Sequence, residues 1–260
     1  MPYFDIALDP AIVNVTAEQV ESIDWARPAW VSAEGQALVG QAVWVVESRD
    51  QVIVIDPCGA ADEFLRSGPE AIGHQDAVLA AMSEAGFPPE RVDVVVLSHL
   101  DGIGMAAVVG TLGDWTPAFP NARVVMTKAE LEFLSNGGAA QGIEALNALI
   151  AQGVVDGVDD GHQITDEVSL EITGAHTPGH AIVRIHSDGD SATFVGHLAL
   201  NPLNVVTAAA CARNADDTRA AETLAAIVAE ATAQESLLIG PLWPYPGAGY
   251  AADDRIVPAD

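Results

Sequence analysis

Basic side chains are scarce in this chain of 260 residues: 10 against 37 acidic ones, with Lys128 the only lysine, for a formal net charge of −27. A surface of that sign repels phosphate backbones, which argues against nucleic acid and anionic membranes as partners. The acidic excess reads as a solubilising surface, of the kind that suits a salt-rich cytoplasm or a lysine-poor genome, before it reads as a cation-binding device. Cysteine is also rare. Cys58 and Cys211 are too few for a disulfide scaffold and neither belongs to a CxxC pair, so both are expected to be small buried hydrophobes. No uninterrupted apolar run is long enough to span a bilayer, and residues 1–9 lack the basic start and apolar stretch of a signal peptide. The expectation is a cytoplasmic protein. Internal repeats and linker-like stretches are missing too, which removes solenoid architectures and gives no reason to divide the chain.

What the sequence does have is apolar content. Hydrophobic residues make up 50% and charged residues only 18%, enough for one large core. A single α/β domain over residues 1–260 is expected, with residues 1–40 as an N-terminal extension packed on it. Residues 42–47 and 51–56 read as a hairpin turning at Ser48-Arg49-Asp50. Residues 75–86 carry apolar side chains at helical spacing and end in Gly86, the residue favoured just past a helix end. Further strands are expected at 92–97, 122–126, 168–173, 182–186, 192–195 and 237–239, and helices near 131–134, 143–152 and 215–233. Thr127 with Glu130 resembles a capping box for the first of these. The pattern suggests helices outside two facing sheets, a four-layer sandwich, though periodicity leaves one open sheet as an alternative.

The stretch with chemical content is Val94-Val95-Val96-Leu97-Ser98-His99-Leu100-Asp101-Gly102-Ile103-Gly104. Four consecutive apolar residues fit a strand covered on both faces, and polar residues at its carboxyl end sit where open α/β sheets place ligands. Positions i and i+2 of a strand point the same way, so His99 and Asp101 can converge on one ion. On spacing alone, such a pair is more often a helix cap and a surface imidazole than two metal ligands.

Five segments in order resemble those of the metallo-β-lactamase-fold hydrolases, in the branch that includes lactonases and organophosphate hydrolases. They are Asp56-Pro57-Cys58-Gly59, Ser98-His99-Leu100-Asp101, Ala175-His176-Thr177-Pro178-Gly179-His180, Phe194-Val195-Gly196-His197 and Gly240-Pro241-Leu242-Trp243-Pro244-Tyr245-Pro246-Gly247. The resemblance runs over residues 42–249 and implies an α/β fold, the four-layer αββα sandwich of the metallo-β-lactamase type. In that family the first motif is HxHxDH. This chain keeps the first His as His99, has Asp101 for the second, and has Ile103 and Gly104 where the family has Asp and His. His176 matches the His of the TPGH-like turn, His197 stands at the metal-bridging Asp, and Leu242 at the distal His.

The resemblance therefore implies one surviving metal site built from His99, Asp101, His176 and His197, and a second site without ligands. Three histidines and one carboxylate suit zinc, iron or manganese, one ion per chain, unless the site is a relic that holds none. Asp101 would anchor the metal or act as base. By the same resemblance Asp56 and His180 are supporting residues that orient the site, while Ile103, Leu242, Trp243 and Tyr245 line the pocket. The activity implied is hydrolysis of a small ester, lactone, thioester, phosphotriester or activated aryl ether. Two alternatives stand beside it: a metal-poor subunit of a hetero-oligomer with an intact paralogue, and a mononuclear iron oxygenase. A small-molecule substrate and homo- or hetero-oligomerisation are the partners expected.

Overall fold

The computed structural model describes residues 6–40, 42–57, 78–100, 115–138, 142–252 and 255–259. Asp101, Ile103 and Gly104, together with Cys58 and His74, lie outside the described residues. The chain divides into two compact units, one of residues 42–160 and one of residues 2–41 with 161–260. The N-terminal residues thus belong to the same unit as the C-terminal hundred.

Two short strands, β1 (Ile6–Leu8) and β2 (Ala37–Val39), pair antiparallel. The helix Ala17–Ser22 between them opens on a reciprocal capping box, in which the Thr16 hydroxyl accepts from Gln19 N and the Gln19 side chain accepts from Thr16 N. The first unit is a sheet of β3 (Trp44–Ser48), β4 (Gln51–Ile55), β5 (Val94–Val96), β6 (Arg123–Thr127) and β7 (Val155–Val158), in that order. β3 and β4 form the expected hairpin, and the other neighbours are parallel. All three residues of β5 are buried, as a central parallel strand requires. Val54, Val95, Val124 and Met126 share one hydrophobic cluster with Met82, Leu134, Leu146 and Leu149 of the helical segments.

Helix Lys128–Ser135 starts where the capping signal put it, with the Thr127 hydroxyl accepting from Glu130 N at 3.1 Å. The Glu130 carboxylate, fully buried, accepts a hydrogen bond from Leu100 N at 3.2 Å. It thereby ties the backbone just after His99 to a helix N-terminus.

The second unit contains a sheet ordered β13-β12-β11-β10-β9-β8, from β8 (Val168–Ile172), β9 (Ala181–Ser187), β10 (Asp190–Phe194), β11 (Leu237–Ile239), β12 (Ala248–Ala252) and β13 (Arg255–Pro258). Only β10 and β11 run parallel, and a parallel pair needs a long crossover. The alanine-rich helix Asp217–Gln234 lies in it, two residues later at its start than the periodicity suggests. It buries Ala220, Leu224, Ile227 and Ala231, a stripe at helical spacing, in a cluster with Ile182, Leu198, Leu238 and Trp243. The strands β7, β12 and β13 and the helix Pro202–Thr207 escape the sequence reading. Val-Asp-Gly-Val and Ala-Gly-Tyr-Ala-Ala have weak strand propensity and become strands because neighbours supply their ladders.

Two buried asparagines hold the N-terminal segment within this unit. Asn204 Nδ2 donates to Val13 O and Ala209 O, both at 2.6 Å, while Asn201 Nδ2 donates to Leu38 O at 2.5 Å. Asn204→Ala leaves two buried carbonyls without that donor and opens a small void, so unfolding free energy should fall by roughly 2–3 kcal/mol. Urea denaturation checks this. A midpoint equal to wild type would mean the N-terminal segment is not held by these bonds.

Candidate metal centre

His99 follows β5 in a loop fixed by Asp56 at the end of β4. Asp56 has a left-handed φ of +38°, its backbone N–H donates to Val96 O at 3.0 Å, and its carboxylate accepts from Ser98 N at 2.8 Å and Ser98 Oγ at 2.5 Å. The Ser98 hydroxyl proton is committed to Asp56. Its oxygen, 3.2 Å from His99 Nδ1, is therefore an acceptor for the ring N–H, which makes Nε2 the nitrogen without a hydrogen.

His176 lies in the turn between β8 and β9, and His197 just after β10. Gly174 at φ +56° lets the first turn fold back, with Thr173 N and Gly174 N donating to His180 O at 2.8 and 3.2 Å. His180 is wholly buried and its ring is occupied by protein. Nδ1 lies 2.8 Å from Thr173 Oγ1, whose own proton goes to His180 O at 3.1 Å, and Nε2 accepts from His197 N at 3.2 Å. His180 is thus a bracket between the two turns. The imidazoles of His176 and His197 meet edge to face with centroids 5.3 Å apart.

Burial, then the charge environment of His176 and Arg213, holds the His197 imidazole well below its usual value, so it is neutral near pH 7. A histidine of the unfolded chain protonates below about 6.5, whereas this one resists. Stability present above that pH is therefore lost as the pH falls towards the folded-state value, with a slope approaching about 1.4 kcal/mol per pH unit. Metal-free protein should melt at lower temperature at pH 5.5 than at pH 7, and His197→Asn should flatten that dependence. An equally steep profile in the variant would assign the effect to other groups.

His176 and His197, both buried in the second unit, place two ring-nitrogen donors side by side, and His99 in the first unit is a third buried imidazole. Neutral imidazoles are the ligating form, and the environment of His197 favours it. The donor set fits a borderline cation such as zinc or iron(II).

Of the other sequence candidates, Trp243 is 1% exposed and its indole N–H donates to Ala199 O at 2.9 Å. Tyr245 is 72% exposed. Leu242 is half-buried against the apolar cluster of Val13, Val15, Val20 and Leu203. His162 and His186 are exposed, as their polar context suggests. The sequence reading missed the contribution of Thr173, Cys211 and Asn214. Cys211 donates its thiol to His197 O, and Asn214 Oδ1 is 2.9 Å from His176 Nδ1. No spacing signals a partner 38 residues away.

No protein-family model and no curated protein matches the chain in sequence. Solved structures do match it in shape. AidC, a dizinc quorum-quenching lactonase in complex with a product, is 16% identical with a TM-score of 0.79, covering 99% of this chain and 92% of that one. The hydrolase AbOPH of the beta lactamase superfamily is 22% identical with a TM-score of 0.79, covering 98% and 91%. A probable metal-dependent hydrolase from Staphylococcus aureus is 13% identical with a TM-score of 0.75, covering 98% and 93%. The chain has the metallo-β-lactamase fold, as the five sequence segments implied.

Proposed function

We propose that this protein is a metal-dependent hydrolase of a small organic molecule that works with a single metal ion. The observation that carries the reading is the pair of buried imidazoles of His176 and His197, ring centroids 5.3 Å apart, in two turns braced by His180; His99 joins them on this reading by the motif it stands in. Asp101, two residues after His99, is the fourth ligand or the base on this reading. A divalent cation bound there would lower the pKa of a water and polarise the scissile carbonyl or phosphoryl group. The chain's own residues do the positioning: Asp56 and Ser98 orient His99, and Thr173 and His180 set the backbone of His197. AidC is named as a quorum-quenching lactonase, which makes lactones and esters the substrates to try first. Phosphotriesters, thioesters and activated aryl ethers come next.

Loss of the second metal fits the residues that replace its ligands. Ile103, Gly104 and Leu242 carry no donor atom, and Leu242 packs in an apolar cluster. The test is elemental analysis of protein purified without chelators, followed by a lactone and ester screen. About one zinc, iron or manganese per chain with turnover that a chelator abolishes is expected. The same Leu242 packing favours a second reading, a non-catalytic subunit paired with an intact paralogue. Protein that takes up no metal from excess ion would replace the first reading with the second.

A further inference from the structure

We infer that Asn214 is the positioning residue that fixes the tautomer of His176, leaving Nε2 as its ligand atom. The inference rests on the metal-site reading for its purpose but not for its geometry. An amide presents one acceptor and two donors that look alike in shape, so its orientation follows from its neighbours. Asn214 Nδ2 donates to Cys211 O and, at 3.1 Å, to Asp217 Oδ1. Both partners are acceptors, so the nitrogen must face them. A flipped amide would set its oxygen against a carbonyl and a carboxylate. Asn214 Oδ1 therefore faces His176 Nδ1 at 2.9 Å, and the ring nitrogen there must carry the hydrogen. Nε2 is then the ring nitrogen that carries no hydrogen, the one whose lone pair can ligate an ion.

The segment that carries Asn214 is itself fixed to both turns. Ala215 N donates to His176 O at 2.8 Å, Cys211 N donates to Leu198 O at 3.1 Å, and the Cys211 thiol donates to His197 O. Asp216 then caps the helix Asp217–Gln234 by accepting from Arg219 N at 2.9 Å. The amide is thus held between a rigid helix start and the two histidine turns. Residues in this position on a metal-bound histidine tune its affinity for the ion by about 10–100-fold.

The test uses full-length protein and two readouts. In metal-free protein with 15N-labelled histidine rings, long-range proton–nitrogen correlation at a pH where the imidazoles are neutral should show His176 with its hydrogen on Nδ1. His176→Gln identifies the signal. Asn214→Ala should release the bias towards the other tautomer and weaken zinc binding by about 10–100-fold. Asp217→Ala, which leaves Asn214 Nδ2 on Cys211 O and Oδ1 on His176, should keep both near wild type. An unchanged tautomer in Asn214→Ala, or zinc affinity equal to wild type, would overturn the inference. Equal loss in Asn214→Ala and Asp217→Ala would do so as well, since general disruption would explain it. Wild-type protein that takes up no zinc while its tautomer still depends on Asn214 would support the positioning role and overturn the metal reading alone.

Discussion

His176→Ala should remove bound metal and hydrolytic turnover together. On the proposed reading three histidines hold one ion, and this one stands in edge-to-face contact with His197. Losing it leaves two imidazoles, and a hydrated divalent cation gains little by exchanging its waters for so few protein ligands. Metal content should fall from about one ion per chain to under a tenth of that, and turnover to the rate of the uncatalysed reaction. The two quantities need measuring on the same preparation. Full turnover by protein that has lost its metal would refute a metal-dependent mechanism, whereas full metal content would remove His176 from the ligand set.

Gly196→Ala should lower stability and metal affinity together. Gly196 has a φ of +56°, and a Cβ added there would lie 2.4 Å from His180 Nε2 and 3.0 Å from Cε1. The left-handed backbone and the overlap together cost roughly 3 kcal/mol, which corresponds to a fall of about 6–12 °C in melting temperature. The His180 ring cannot simply move aside, because it is wholly buried and its two nitrogens engage Thr173 and the backbone of His197. Displacing it loosens the turn that carries His197, so metal affinity should fall by at least about tenfold as well. A thermal melt and a zinc titration check the two effects. A variant as stable and as tightly binding as wild type would mean the two turns are not coupled through His180.

Much of the fold was legible because apolar patterning and punctuation agree with it. The hairpin β3–β4, the buried run at β5, the threonine that caps Lys128–Ser135 and the alanine-rich helix all announce themselves within a few residues of where they lie. β7, β12 and the short helix Pro202–Thr207 do not, since their conformation comes from neighbours far along the chain and not from local preference. The candidate site divides the same way. His99, His176, His180 and His197 sit in motif-bearing turns that a reader of sequence can pick out. Asn214, Thr173 and the thiol of Cys211 carry no motif.

The sequence by itself determined the chemical inventory: which turns carry histidines, which positions lack donor atoms, and where β-branched runs and glycines force strands and tight reversals. These are properties of single residues and their near neighbours, and so they survive without a fold. Only the tertiary structure decided which nitrogen each ring is left with and what holds it there. That choice depends on hydrogen-bond partners such as Asp56 for Ser98, 42 residues apart, and Asn214 for His176, 38 apart. A proton's place on an imidazole is set by the hydrogen-bond partners within reach and by what those partners are themselves bonded to, and chain folding, not spacing, decides that.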